Sequence, residues 1–260
     1  MSEIRTAVVT GGASGIGEAC AERFADGGWR VVIGDINVER GEAVAARLRA
    51  RGADARFLAV DVSKEAAVAD FTDAVYAAVE RVDALVNSGG LLQNAVRVTE
   101  LDIGEFDRLW AVNVRGTMLV DQAFGRRMTA AGQGSIVNMC SLTTFRASPQ
   151  PAYAPGKAAL KSMTETMAAE FGPSGVRVNA VAPGYTLTPA MQERIDSGAR
   201  DPKAVLDKTA LRRFVAPREV AEVVFFLASD AASAVTGATI PIDCGWLAYS
   251  AYAAYASQPG

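Results

Sequence analysis

The 260-residue sequence predicts an α/β fold built on a parallel sheet, and three observations carry that prediction. Short apolar runs alternate with longer helical patterns, as βαβ units require. Several runs are continuous Val, Ile, Ala and Leu, which is how strands read when helices cover both faces of a sheet. Half of the residues are hydrophobic, enough for a sizeable core without disulfides or metals. No repeat, low-complexity linker or break in composition divides the chain, so a single domain over 1–260 is expected.

In chain order, residues 6–10 form the first strand and run into the turn Gly11-Gly12-Ala13-Ser14-Gly15-Ile16-Gly17, from which a helix over 15–26 follows. A second strand over 30–34 ends at Asp35, and a helix over 38–51 follows. The strand at 55–60 leads to Asp61-Val62 and a helix over 64–80, with Ser63 as its candidate N-cap. The strand at 84–87 precedes Ser88-Gly89-Gly90 and a long helical pattern over 105–130. Strands at 135–139 and 176–181 flank a helix over 153–171. Residues 186–214 carry weak helical patterns that interrupt the sheet sequence and suit a lid. A helix over 217–229 opens with Pro217, which suits a first turn, and a last strand lies at 238–241. The tail 248–260 sets Tyr249, Tyr252 and Tyr255 among alanines, either frayed or docked on a neighbour.

Composition removes several classes of function. The net charge is −3 with both signs interspersed, which argues against a nucleic-acid partner. There is no histidine, so serine–histidine hydrolysis and most catalytic zinc sites fall away. Cys20, Cys140 and Cys244 are far apart and lack metal-ligand spacing, so buried free thiols and no metal are expected. No apolar stretch reaches the length of a membrane helix, and no signal-peptide pattern is seen, so a cytoplasmic protein is expected.

Two features carry chemistry. Tyr153 and Lys157 stand four residues apart, one above the other on a helix face. An ammonium there favours the phenolate and should lower a phenol pKa normally near about 10. The glycine turn between the first strand and first helix lets a backbone approach a pyrophosphate, and the helix N-terminus offers free N–H groups. Its spacing is Gly-xxx-Gly-x-Gly, and alone it is weakly specific. Asp35, about twenty residues on at a strand end, can hydrogen-bond ribose hydroxyls and repel a 2′-phosphate. The alternative is that Asp35 merely caps the helix beginning near residue 38. Together the features point to nicotinamide-dependent oxidoreduction with NAD (NADH), NADP being less favoured.

With the glycine turn, Asp35, Ser141 and the Tyr153–Lys157 pair in this order, the chain resembles the short-chain dehydrogenase/reductase family, single-domain branch, from about Ile4 to Trp246. The resemblance implies a Rossmann-type, doubly wound sheet of seven parallel strands and a homotetramer. It implies Tyr153 as general acid/base, Lys157 as the group that lowers its pKa and holds the nicotinamide ribose, and Ser141 as hydrogen-bond partner of the substrate oxygen. Asn113 would anchor a proton relay, or simply tie a helix kink to the sheet. For the cofactor it implies Gly11, Ser14, Gly15, Ile16, Gly17, Asp35, Ile36, Asp61, Val62, Asn87, Ser88, Gly89, Pro183, Gly184, Thr186 and Thr188. The substrate site would draw on Ser141, Thr143, Gln150, Tyr153 and Tyr185.

Some positions depart from that pattern. Asn87-Ser88-Gly89-Gly90 replaces the usual Asn-Asn-Ala-Gly, and Cys244 stands in a usual Asp-Gly-Gly. Pro155 lies between Tyr153 and Lys157, and proline is tolerated only in the first turn of a helix. The helix must therefore start near residues 151–153, with the tyrosine in its opening turn. Gln93, Arg146 and Gln150 suggest a sugar, polyol or hydroxy acid as substrate, unless they are surface residues. A 3-oxoacyl thioester reductase and a nucleotide-sensing scaffold without chemistry are the rival readings.

Overall fold

The computed structural model describes residues 4–252. Seven strands form one sheet: β1 Thr6–Thr10, β2 Arg30–Asp35, β3 Ala55–Ala59, β4 Ala84–Asn87, β5 Gly134–Met139, β6 Val176–Pro183 and β7 Thr239–Ile242. They lie in the order β3-β2-β1-β4-β5-β6-β7, and every neighbouring pair is parallel. The order reverses between β1 and β4. In open α/β sheets the crevice beyond the carboxyl ends of the strands at such a point is where ligands bind.

Successive strand residues face opposite sides of the sheet, and both sides are covered. On one side Val9, Val31 and Ile33 pack with Cys20 and Phe24 of α1 (Gly15–Asp26), Val44 and Leu48 of α2 (Val38–Ala50), and Val220, Val224 and Leu227 of a helix near the C-terminus, Pro217–Ala228. On the other, Val8, Val32 and Leu85 meet Phe71 and Val75 of α3 (Glu65–Ala78) and Phe124 of a helix between β4 and β5. Each fully buried aromatic or leucine contributes about 1.5–3 kcal/mol relative to exposure. This covering explains the continuous apolar runs of the strands.

Two local expectations need correction. The helix over 64–80 begins at Glu65, and Ser63 is not its cap, because the Ser63 N–H (3.0 Å) and hydroxyl (2.7 Å) both donate to Asp61 Oδ1. A hydroxyl committed as a donor to Asp61 sits in an Asx turn ahead of the helix. The long helix over 105–130 is three pieces: α4 (Ile103–Trp110), a π-helical turn over Ala111–Gly116, and α5 (Thr117–Ala131). Asp102 caps α4 by accepting from the Gly104 and Glu105 amides. The π turn loosens the ladder at Asn113, and π turns of this kind recur at functional sites.

The helix α6 (Tyr153–Phe171) begins at the tyrosine, as Pro155 requires. Residues 186–214 contain α7 (Pro189–Asp196) and α8 (Pro202–Leu206), each with proline at its start and a capping side chain, Thr188 and Asp201. The two ends of this flap are pinned together, Leu187 N–H to Val215 O and Val215 N–H to Tyr185 O, both at 2.9 Å. The helix Pro217–Ala228 is then α9, and α10 spans Trp246–Tyr252. The described part of the tail docks on its own chain: Arg212 donates to the Tyr249 hydroxyl at 2.8 Å and Arg146 to Leu247 O at 2.9 Å. Tyr255 lies outside the described residues. Among those described, no helix is long and apolar enough to cross a membrane.

Candidate active site

At the switch point the glycine turn and the residues after β4 are in close contact. A side chain on Gly11 (φ +67°) would place its Cβ 2.3 Å from Gly89 N, and one on Gly17 would lie 2.1 Å from Gly11 O. Only glycine allows this approach. Ser14 precedes α1 without capping it, which leaves the amides of the first turn, including those of Ile16 and Gly17, without a side-chain partner. A backbone cradle with unpartnered amides at a helix N-terminus fits a dinucleotide's phosphates. Thr188 approaches the same turn, its Cγ2 within 3.3 Å of where a Gly15 Cβ would stand.

Asp35 stands at the end of β2, half-buried. Its Oδ2 accepts from Ala13 N–H at 3.1 Å and its Oδ1 from Asn37 N–H at 2.9 Å. Asn37, rather than Asp35, caps α2, accepting from Arg40 N–H. The carboxylate thus braces the glycine turn and keeps further lone pairs for hydroxyl donors. Beyond it, Ile36 and Asp61 line one open cleft of about 380 Å³ with Phe71 at its side. Val62 packs on Gly116 of the π turn.

At the other end of the crevice the catalytic candidates converge. A Cβ on Gly90 would lie 3.2 Å from Asn113 Oδ1 and 3.8 Å from Lys157 Nζ, so the glycine floor and the α6 lysine share one edge. Lys157 Nζ sits 5.6 Å from the Tyr153 ring centre and donates to Met139 O at 2.6 Å. The Ser141 hydroxyl lies near the Tyr153 phenol and favours its ionised form. It also accepts from Thr143 N–H at 3.3 Å, so Ser141 caps the short turn after β5 as well. Asn113 grips the Leu91 peptide on both sides, Oδ1 accepting from its N–H at 2.7 Å and Nδ2 donating to its carbonyl at 2.9 Å. The tie between helix kink and sheet loop is therefore present.

The charge balance differs from the expected one. Burial pushes Tyr153 up to about 12, with the nearby Ser141 hydroxyl opposing it more weakly. Burial pulls Lys157 down to about 8. Both groups are withdrawn from water, and the cost of a buried charge sets the direction of both shifts. In the chain alone the phenol is a proton donor at neutral pH.

The remaining predicted residues divide. Pro183 and Gly184 end β6, where Gly184 lies against Asp243, and the Thr186 hydroxyl turns back to Gly184 O at 3.2 Å. Tyr185 packs near Trp246, ring centres 6.3 Å apart, and Thr143 Oγ1 is buried without a partner. The Asn87 side chain points away from the crevice into a buried network: it donates to Asp121 at 2.6 Å and Asn138 at 3.0 Å and accepts from Thr10. At that position only the backbone of Ser88 and Gly89 faces the glycine turn.

Gln93, Arg146 and Gln150 each make contacts within the fold. Arg146 holds α10, Gln150 Nε2 donates to Gln93 O at 2.6 Å, and Gln93 is buried under the start of α6. The polar atoms of the two glutamines are held within the fold, Gln150 Oε1 by the Ser148 hydroxyl and Gln93 Nε2 by Glu105. The sequence reading did not single out Asp121, although an acid in the run Leu119-Val120-Asp121 on the apolar face of a helix is a visible anomaly.

Comparison with known proteins agrees with this geometry. A family model described as enoyl-(acyl carrier protein) reductase matches residues 11–247. The chain is 40% identical over 243 residues to a D-threitol dehydrogenase of Mycolicibacterium smegmatis, covering 93% of this chain and 92% of that one. The chain belongs to the short-chain dehydrogenase/reductase family. It is also 39% identical over 250 residues to a cis-4-hydroxycyclohexanecarboxylate dehydrogenase of Sinomonas cyclohexanicum, covering 94% and 97%. The solved structure of ElxO with NADP bound superimposes with a TM-score of 0.90 at 27% identity, covering 94% and 99%. As a family member the chain is an oxidoreductase of CH–OH groups that binds a nicotinamide cofactor, on the seven-stranded Rossmann-type sheet described above.

Proposed function

We propose that this short-chain dehydrogenase/reductase interconverts a secondary alcohol and a ketone on a sugar, polyol or hydroxy acid, with NAD(H) as cofactor. The observation that carries the reading is the meeting of Lys157, Asn113 and the Gly89-Gly90 floor at one edge of the crevice, with Tyr153 and Ser141 side by side next to it. The threitol and hydroxycyclohexanecarboxylate relatives support a substrate bearing a secondary hydroxyl.

When bound, the nicotinamide accepts or delivers the hydride. Tyr153, held protonated by its buried setting, donates a proton to the ketone oxygen during reduction and takes it back from the alcohol during oxidation. Ser141, near the phenol, hydrogen-bonds the same substrate oxygen and holds it in line. Lys157, mostly charged below about pH 8, stabilises the phenolate that reduction leaves behind. Asn113 fixes the loop at Leu91 and presents Oδ1 beside Lys157 Nζ, where a proton path to solvent would begin. Asp35 favours NAD(H), because a carboxylate braced against Ala13 accepts ribose hydroxyls and repels a 2′-phosphate.

A screen of polyols, aldoses, hydroxy acids and acetoacetyl thioesters, each with NAD(H) and NADP(H) and read at the reduced-nicotinamide absorbance, tests the proposal. Turnover of a polyol or hydroxy acid with NAD(H) is expected. Turnover confined to thioesters with NADPH would refute it.

A further inference from the structure

Two amides at the opening of α6, those of Ala152 and Tyr153, have no partner within their own segment, whereas Ala154 N–H already donates to Gln150 O. The residue before the helix is Ala152, which has no capping side chain, and the catalytic tyrosine is the first helical residue. Free N–H groups at a helix start demand acceptors, and burial here keeps water from supplying them. The acceptor comes from a distant loop. Gln93, six residues beyond the end of β4 and only 1% exposed, accepts with its Oε1 from Ala152 N–H at 2.9 Å and from Tyr153 N–H at 3.0 Å.

The Gln93 side chain is itself fixed. Its Nε2 faces Glu105 Oε2 of α4 at 3.4 Å, and the backbone carbonyl of the same residue accepts from Gln150 Nε2 at 2.6 Å. Two residues back, Leu91 is gripped on both sides by Asn113. From the opposite side Trp110 Nε1 donates to Ala152 O at 3.1 Å. The peptide ahead of Tyr153 is thus bracketed, and a continuous set of hydrogen bonds runs from Asn113 through the 91–93 loop to the tyrosine backbone.

We propose that Gln93 is the positioning residue of the catalytic tyrosine: it caps α6 across the fold and sets the place of Tyr153 relative to Gly89-Gly90. This rests on the proposed role of Tyr153. Charge explains the choice of an amide. Capping residues at helix starts are commonly Asp, Ser, Thr or Asn. A carboxylate in this buried place would put a negative charge beside the phenol and hinder its ionisation, whereas an amide accepts from both N–H groups without one. The displacement at stake is small, and shifts of about 1 Å cost rates on the order of 100-fold.

The test compares the unsubstituted protein, Gln93→Leu, and the pair Gln93→Glu with Glu105→Gln, which restores the acceptor while exchanging donor and acceptor between the two positions. Measurements are kcat and KM on the best alcohol found in the screen, NADH affinity by fluorescence, and the pH profile of kcat. Gln93→Leu should lower kcat at least tenfold and leave NADH affinity within about threefold. The double variant should recover most of kcat at the top of its own pH profile, with the tyrosine-dependent limb moved to higher pH, since the carboxyl now lies nearer the phenol. Unchanged kcat in Gln93→Leu would overturn the assignment. So would a kcat loss matched by an equal loss of NADH affinity, or one that the double variant does not restore. If Gln93→Leu fails to fold, the double variant decides alone: near-normal kcat with a shifted profile supports the role, and an unshifted profile removes it. An unsubstituted protein without nicotinamide-linked turnover would overturn the function proposed above and this role with it.

Discussion

Replacing Asp121 with asparagine should remove a loss of stability that its buried carboxyl imposes as pH rises. Asp121 lies on α5 with no exposure, its two oxygens accepting from Asn87 at 2.6 Å and Asn138 at 3.0 Å, and Asn138 bonds on to Thr164 of α6 at 3.2 Å. Burial pushes its carboxyl from 3.8 up to about 8, although both asparagine hydrogen bonds favour the ionised form. The folded chain therefore keeps the proton between about pH 4 and 8, where the unfolded chain has released it. With more protons bound in the folded state, stability falls as pH rises through that window, by at most about 1.4 kcal/mol per pH unit. The difference in unfolding free energy between the protein and Asp121→Asn cancels the other titrating groups. Urea denaturation of both at pH 5, 6, 7 and 8 should show Asp121 becoming steadily less favourable relative to asparagine. A difference that stays flat, or that moves in favour of Asp121 as pH rises, would refute the reasoning.

Two further outcomes follow from the cradle. Gly17→Ala places a Cβ about where Gly11 O already stands, 2.1 Å away, so the turn must shift. Dinucleotide affinity should fall at least about tenfold, or about 1.4 kcal/mol, in a fluorescence titration, and normal affinity would contradict the placement of the phosphates. Asp35→Ala removes the ribose acceptor and the brace on Ala13. The ratio of kcat/KM for NADH over NADPH should drop by an order of magnitude or more, and an unchanged ratio would count against Asp35 as the selector.

Features set by local rules were legible in the sequence. The strands stand out because apolar runs lie between turn residues, and Pro155 placed the start of α6 within residues 151–153, where it lies. The glycine turn and Asp35 could be read because backbone geometry ties residue type to position. Features set by what lies across the fold could not be read. Gln93 looked like a pocket residue, since nothing local reveals that two amides sixty positions away lack an acceptor. The π turn at Ala111–Gly116 carries no breaker residue that would have split the helix pattern. The spacing of Tyr153 and Lys157 showed their adjacency but not their burial, and burial decides the direction in which both titrate.

The central claim is that the Tyr153 phenol moves the proton while the crevice holds the nucleotide. Its most direct test is Tyr153→Phe, which removes one oxygen and keeps the ring. NADH binding, followed by fluorescence, should stay within a few-fold of the unsubstituted protein, while kcat falls by at least three orders of magnitude. Turnover within tenfold of the unsubstituted protein would contradict the account.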